Sequence, residues 1–117
     1  MSLRIGIDIG STTVKVVLLD EQNKLLFRSY ERHYSKARER AAETLRSLAD
    51  RRAGRQVRIV ITGSAGLGVA KAAEIDFVQE VYATAAAVNQ YIPDTDAVIE
   101  LGGEDAKIIF FGGALEE

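Results

Sequence analysis

Apolar and polar residues alternate strictly near the start of the chain. The run Ile-Gly-Ile-Asp-Ile-Gly over residues 5–10 has the period of two that is typical of a β-strand. One face of this strand carries three isoleucines, whereas the other carries only Gly6, Asp8 and Gly10. Two glycines and a carboxylate offer that face almost no apolar surface to bury, so we predict that it leaves room for a ligand.

The next segments continue the strand pattern. Residues 11–13 predict a tight turn, and residues 14–20 predict a second strand that is apolar apart from Lys15 and the final Asp20. The polar residues 21–24 predict a hairpin turn, and residues 25–31 predict a third, half-buried strand. Three consecutive antiparallel strands are the simplest interpretation.

The middle of the chain favours helices on either side of one strand. Apolar residues at helical spacing predict a helix over residues 36–52, with Ser35 as its N-cap and Gly54 as its stop. Residues 57–62 predict a short strand, which a glycine-rich segment joins to a short helix. A further helix is predicted over residues 77–91. Its apolar stripe comprises Phe77, Val81, Ala85 and Val88.

Residues 97–101 and 107–111 predict two more strands, joined as a hairpin. The predicted order is therefore β-β-β-α-β-α-α, followed by a hairpin without a helix to cover it. Residues 108–111 are all apolar, which is unusual for an uncovered hairpin. We therefore expect the chain to be a fragment that ends inside a second subdomain.

Composition and charge exclude several classes of function. The chain has 117 residues, of which 47% are hydrophobic and 27% charged, as expected for a small soluble domain or part of one. The formal net charge of −2 gives no basic field for binding nucleic acid. Without cysteine and with one histidine, the chain offers no disulfide framework, thiol nucleophile or thiolate-ligated metal site. No long apolar run is present, so we predict no signal peptide, no membrane span and a cytoplasmic location.

Two glycine-rich segments resemble each other. Residues 8–12 and 100–105 each end an apolar strand with an acidic residue, glycines and small polar groups, and a lysine follows, Lys15 or Lys107. Glycines let backbone N–H groups approach an anion, and a carboxylate suits Mg²⁺, which prefers hard oxygen ligands. We predict that the two hairpins face each other across a cleft and bind the phosphates of a nucleotide. The alternative is that both are simply tight hairpins with turn glycines.

A family resemblance rests on these same segments. Residues 5–20, IGIDIGSTTVKVVLLD, resemble the first phosphate motif of the actin, sugar-kinase and heat-shock-chaperone ATPase superfamily, and residues 98–107, VIELGGEDAK, resemble the second. Within that superfamily the chain resembles the activator ATPases of 2-hydroxyacyl-CoA dehydratases and benzoyl-CoA reductases, called BadF/BadG/BcrA/BcrD. Residues 63–68 and 77–81 are similar to the N-terminal module of the long, multi-module members.

The resemblance implies an α/β fold with two ribonuclease-H-like, actin-like subdomains that close on Mg·ATP. Residues 1–95 would form the first subdomain, and residues 96–117 would form the opening hairpin of a truncated second one. Asp8 and Glu100 would be catalytic and would hold Mg²⁺, directly or through water. The family usually carries Asp in place of Glu100. The residues that would bind the phosphates of ATP or ADP are Gly10, Ser11, Thr12, Thr13, Lys15, Gly102, Gly103 and Asp105.

Activators of this family are homodimers that share one 4Fe–4S cluster and use ATP hydrolysis to drive a low-potential electron into a dehydratase or reductase. The resemblance implies that this chain is the N-terminal part of such an activase, with a nucleotide and a CoA-ester dehydratase or reductase component as partners. Since the chain has no cysteine, the cluster is expected only in a full-length parent, and the fragment itself is expected to be inactive. A homodimer is expected, with swapped or edge-paired hairpins as a variant of it.

Other functions remain open at this point. A small-molecule kinase of the same superfamily would need a general base, for which Asp105 or Asp76 could be proposed. A nucleotide-dependent switch without a redox partner is a further alternative.

Three other features have more than one interpretation. Residues 63–68 follow a strand with the spacing G-x-x-G-x-G, which favours a closely packed helix N-terminus over a dinucleotide-binding fingerprint. His33 lies between Arg32 and Tyr34 and is expected at the surface. Glu80 is expected either near a metal or as a helix charge that faces solvent.

Overall fold

A mixed β-sheet of five strands organises the first part of the chain. The computed structural model describes residues 2–102 and 106–111 and the backbone of residues 115–116. The chain divides into two compact units, residues 1–77 and 78–117. The first unit contains β1 (Ser2–Ile9), β2 (Thr13–Leu19), β3 (Leu25–Arg32), α1 (Ala37–Ser47), α2 (Ala49–Arg52), β4 (Gln56–Thr62), α3 (Gly66–Ala73) and β5 (Asp76–Phe77).

The strands of this sheet lie in the order β3-β2-β1-β4-β5. Neighbouring strands from β3 to β1 are antiparallel, and those from β1 to β5 are parallel. The three antiparallel strands predicted at the start of the chain are therefore confirmed. The predicted subdomain boundary between residues 95 and 96 stays a prediction.

The hydrophobic core lies on one face of the five-stranded sheet. It combines alternate residues of β1 and β2 with Ile61 of β4, and the helices α1 and α3 contribute Ala41 and Ala70. Because successive side chains of a strand point to opposite faces, burial of the odd-numbered residues of β1 places Gly6 and Asp8 on the other face. The buried residues of the two strands are Leu3, Ile5, Ile7, Ile9, Val14, Val16 and Leu18.

The predicted helix over residues 36–52 is corrected in two ways. It is divided at Leu48 into α1 and α2. The predicted N-cap Ser35 is wrong, because the cap position is occupied by Lys36, without a side-chain hydrogen bond. Ser35 instead has a φ of 62°. The predicted stop is close to the observed one, where Ala53 adopts the left-handed conformation.

The helix predicted from residue 77 begins at Glu80 instead. Asp76 and Phe77 pair in parallel with Val60 and Ile61 of β4 and form the short strand β5. A strand of two residues has no periodicity of its own, so it cannot be recognised from the hydrophobic pattern. Phe77 therefore belongs to the edge of the first unit's core and not to a helix stripe.

Asp20 closes the predicted hairpin turn between β2 and β3. Its Oδ1 accepts hydrogen bonds from the backbone N–H groups of Gln22 and Lys24, both at 2.9 Å. The Lys24 bond is the main reason why the pKa of the Asp20 carboxyl lies below its ordinary value. Asn23 has a φ of 64° in this turn, a conformation that Asn adopts more readily than most residues.

The second unit contains a helix and a small antiparallel sheet. Its elements are α4 (Glu80–Tyr91), β6 (Ala97–Leu101), β7 (Ala106–Phe111) and β8 (Leu115–Glu116). The predicted hairpin is confirmed, with Glu100 opposite Lys107. The face of the β6-β7 hairpin that carries neither of these two residues exposes four large apolar side chains: Ile99, Leu101, Ile108 and Phe110.

The longest helix, α4, has 12 residues. In the part of the chain that the structure describes, no helix combines the length and the apolar character that crossing a membrane requires.

Two leucine-to-alanine variants test where the core lies. Leu18 in β2 is 1% exposed, whereas Leu25 in β3 is 48% exposed. Leu18→Ala is expected to lower the free energy of unfolding by about 2–5 kcal/mol, because it leaves a cavity. Leu25→Ala is expected to lower it by less than about 1 kcal/mol. Denaturant unfolding followed by circular dichroism measures both, and equal losses would contradict the assigned core.

Candidate functional site

Asp8 lies near the end of β1, between a lysine and a threonine on the neighbouring strands. The register pairs Asp8 with Lys15 of β2 and with Thr62 of β4. Directly paired residues carry their side chains on the same face, so the three form a row across the sheet. The side chains of Asp8 and Lys15 are 40% and 31% exposed, so solvent and ligands reach this row.

The two carboxylate oxygens of Asp8 have different surroundings. Oδ2 lies 3.4 Å from the Nζ of Lys15, whose ammonium group also lies 5.5 Å from the ring centre of Tyr30. Oδ1 is buried and accepts no hydrogen bond from any residue in the described ranges, and the same holds for Oγ1 of Thr62. A buried oxygen without a partner is destabilising. This pair of oxygens therefore fits an additional polar ligand, such as a hydrated cation.

Gly63 brings the turn between β4 and α3 against the end of β1. A Cβ atom added to Gly63 would lie 2.5 Å from Oδ1 of Asp8 and 2.2 Å from the carbonyl oxygen of Ile9, and its φ is 104°. A Cβ on Gly66 would lie 2.8 Å from Cγ2 of Ile61. The glycine-rich segment is thus a closely packed helix N-terminus, as predicted, and it also borders Asp8.

The turn from Gly10 to Thr13 follows directly after β1. The N–H of Gly10 donates to the carbonyl of Thr13 at 2.9 Å and closes the turn. Ser11 at its tip is exposed, and its neighbours are half-buried. A Cβ on Gly10 would lie 3.7 Å from Nζ of Lys15. The structure therefore brings together the residues of the first predicted motif: Asp8, Gly10, Ser11, Thr12, Thr13 and Lys15.

His33 was expected at the surface, but it is buried, with 6% exposure. Its Nε2 lies 2.9 Å from the carbonyl oxygen of Gly10, and its backbone N–H donates to the carbonyl of Thr12 at 3.0 Å. The expectation failed because the neighbours of His33 are polar. The signal that could have found it is the hairpin register, since Thr13 pairs with Arg32 and the next residue must lie beside the turn.

In the second unit, Glu100 belongs to a small polar cluster with α4 and β7. Its Oε2 accepts a hydrogen bond from Oγ1 of Thr84 at 3.1 Å, and its Oε1 lies 3.9 Å from Nζ of Lys107. Lys107 also forms an ion pair with Glu80, whose side chain is 24% exposed. Glu80 is therefore held by a partner and is not a charge that only faces solvent. Thr84 and Lys107 fix the direction in which the Glu100 carboxylate points.

The other predicted residues of the second motif are Gly102, Gly103 and Asp105. Gly102 follows β6 and is exposed. Gly103 and Asp105 lie outside the described residues, so their predicted role in phosphate binding stays a prediction.

No three or more His, Cys, Asp or Glu side chains form a metal-binding group within the described ranges.

A model of the BadF/BadG/BcrA/BcrD ATPase family matches residues 5–116 of the chain. A search of curated proteins finds no match to the sequence.

Solved structures share the fold. Component A of (R)-2-hydroxyglutaryl-CoA dehydratase from Acidaminococcus fermentans superposes with a TM-score of 0.79 and 20% identity, over 100% of this chain and 46% of that one. The activator of 2-hydroxyisocaproyl-CoA dehydratase from Clostridium difficile, with bound ADPNP, superposes with a TM-score of 0.71 and 26% identity. The match covers 98% of this chain and 44% of that one. The Ppx/GppA phosphatase of Aquifex aeolicus superposes with a TM-score of 0.61 and 16% identity, over 100% of this chain and 51% of that one. This chain thus spans less than half of the first two proteins.

These similarities confirm the predicted fold class. The chain has the α/β, ribonuclease-H-like fold of the actin-like ATPases.

Two glycine-to-alanine variants test the contact beside Asp8. Gly63 and Gly54 both have a positive φ, 104° and 76°, but a Cβ on Gly54 meets nothing within 4 Å. Gly54→Ala is expected to lower the free energy of unfolding by about 1–2 kcal/mol through the backbone conformation alone. Gly63→Ala is expected to lower it by about 3 kcal/mol or more, since its Cβ overlaps the backbone of β1. Equal losses in denaturant unfolding would show that the approach of Gly63 to β1 is not tight.

Proposed function

The chain belongs to the BadF/BadG/BcrA/BcrD ATPase family, and we propose on that basis that its first unit binds the phosphates and Mg²⁺ of ATP. The observation that carries this proposal is the buried Oδ1 of Asp8 beside the turn from Gly10 to Thr13, since this oxygen has no hydrogen-bond partner among the described residues. A carboxylate next to a glycine-containing turn combines the two requirements of a nucleotide phosphate site, namely a cation ligand and accessible backbone donors.

The residues of the first unit fit a hydrated Mg²⁺ ion and a phosphate group. Oδ1 of Asp8 would hold the ion or one of its water ligands. Thr62 is paired with Asp8 on β4, so its hydroxyl would contact the same ion or water. Lys15 binds the other carboxylate oxygen and keeps the carboxylate oriented. Gly10 leaves the turn open to the phosphate, and Ser11, Thr12 and Thr13 would supply hydroxyl and backbone donors. When bound, Mg²⁺ supplies the positive charge that stabilises phosphoryl transfer.

Glu100 and Gly102 remain the proposed contribution of the second motif. Glu100 would act as the second carboxylate that holds Mg²⁺ through water. Thr84 and Lys107 already fix its orientation, which lowers the cost of ordering it when an ion binds. Gly103 and Asp105 are proposed to contact phosphate together with Gly102.

For the full-length protein we propose the function of an activator that couples ATP hydrolysis to electron transfer into a CoA-ester dehydratase or reductase. The support is the family and the similarity to dehydratase component A and to a dehydratase activator with bound ADPNP. A 4Fe–4S cluster does not fit the residues of this chain, which has no cysteine. No step of electron transfer is therefore assigned to these residues.

An NMR titration with Mg·ADP tests nucleotide binding by this chain. We expect amide shifts concentrated between Asp8 and Lys15, with a dissociation constant near millimolar, which corresponds to about 4 kcal/mol. Asp8→Asn removes the charge that attracts the cation, and we expect it to weaken binding about tenfold. Asp50→Asn is the matched control, since Asp50 is an exposed residue of α2 and its change should leave binding unaltered.

Two outcomes would argue against the proposal. A folded wild-type chain without shifts in the Asp8 turn would mean that this unit does not bind the phosphates. Equal binding by wild type and Asp8→Asn would remove Asp8 from the cation site. A titration with ADP in EDTA separates the contribution of the cation from that of the phosphate contacts, because the phosphate contacts persist in part without the ion.

A further inference from the structure

His33 is a buried imidazole whose two ring nitrogens both contact the backbone. The N–H of Ser35 donates to Nδ1 at 3.1 Å, so Nδ1 acts as an acceptor and carries no proton. The neutral ring therefore carries its proton on Nε2, which donates to the carbonyl of Gly10 at 2.9 Å. The backbone N–H of His33 adds a bond to the carbonyl of Thr12. One residue directly after β3 thus donates hydrogen bonds to two carbonyls of the turn.

The bond from His33 to Gly10 also fixes the direction of the Ser11 N–H. A peptide group is planar and trans, so the Gly10 carbonyl and the Ser11 N–H point in opposite directions. Since the carbonyl is directed at buried His33, the N–H is directed away from it. Among residues 2–102 and 106–111, the Ser11 N–H finds no acceptor. A hydrogen bond accepted by the carbonyl polarises the same peptide group and makes its N–H a stronger donor.

The backbone after His33 is strained in a way that supports this arrangement. Tyr34 and Ser35 have φ values of 49° and 62°, a left-handed conformation that costs energy in residues other than glycine. This conformation accompanies the bond from the Ser35 N–H to Nδ1 of His33. That bond excludes the other neutral tautomer, which would present an acceptor to the Gly10 carbonyl.

We propose that His33 is a positioning residue of the phosphate site: its Nε2–H tautomer directs the Ser11 N–H toward the bound phosphate. This inference rests on the proposed function of the turn from Gly10 to Thr13. It assigns to His33 no contact with the nucleotide, since the side chain acts through the Gly10–Ser11 peptide group.

Two variants separate the roles of the two ring nitrogens. His33→Gln keeps a donor near the position of Nε2 and loses the acceptor for the Ser35 N–H. His33→Asn keeps an acceptor near the position of Nδ1 and loses the donor to the Gly10 carbonyl. We expect His33→Asn to weaken Mg·ADP binding about fivefold, and His33→Gln to stay within about twofold of wild type, because only the former loses the orienting bond. The measurement is the same NMR titration, with the free energy of unfolding determined for each variant.

The outcomes distinguish this inference from the proposed function. Weaker binding by His33→Asn than by His33→Gln, without a matching difference in stability, would support the positioning role. Equal binding by both variants and wild type would overturn that role and leave the phosphate site intact. Absence of Mg·ADP binding by the wild-type chain would overturn both.

A measurement on the wild-type chain covers the case in which a variant does not fold. The long-range ¹H–¹⁵N spectrum of the imidazole reports which ring nitrogen carries the proton. We expect the Nε2–H tautomer near neutral pH. A spectrum of the Nδ1–H tautomer or of the doubly protonated ring would overturn the proposal.

Discussion

The position of Asp8 depends on the burial of the opposite face of β1. Ile7 and Ile9, on either side of it, are 2% and 0% exposed, so a shift of β1 by one residue would bury the carboxylate and expose both isoleucines. Ladders to β2 and β4 then set Lys15 and Thr62 beside it. Apolar packing and backbone pairing hold the site in place, since an exposed ion pair such as Asp8–Lys15 contributes little on its own.

The sequence was sufficient to predict secondary structure where one residue type dominates a face of an element or a turn. Three isoleucines opposite Gly6 and Asp8 gave an unambiguous strand, and the polar turn around Asp20 gave an unambiguous hairpin. The residues of the first predicted motif were predicted together because they are adjacent along the chain. Short or irregular elements were not predictable, because β5 has two residues and the helix break at Leu48 has no glycine or proline to mark it.

The parts of the site that the sequence did not reveal come from pairing between distant segments. Thr62 borders Asp8 only because β4 joins β1 in parallel and in this register. The sequence predicts Gly63 as part of a helix N-terminus, but its approach to Asp8 requires the same ladder. His33 reaches Gly10 because β3 ends beside the turn. In each case the hydrophobic pattern predicts the strands but does not say which residues become neighbours across them.

The two edges of β1 also differ in how far along the chain their partners lie. The partner β2 follows after one turn, whereas β4 follows after β3, α1 and α2. Closing the longer loop costs more entropy, and contacts between nearby segments generally form faster. During synthesis, Asp8 and Lys15 can therefore pair before Thr62 and Gly63 have left the ribosome. The turn from Gly10 to Thr13 can thus form with an early hairpin, while the surroundings of the Asp8 carboxylate are completed only when β4 pairs with β1.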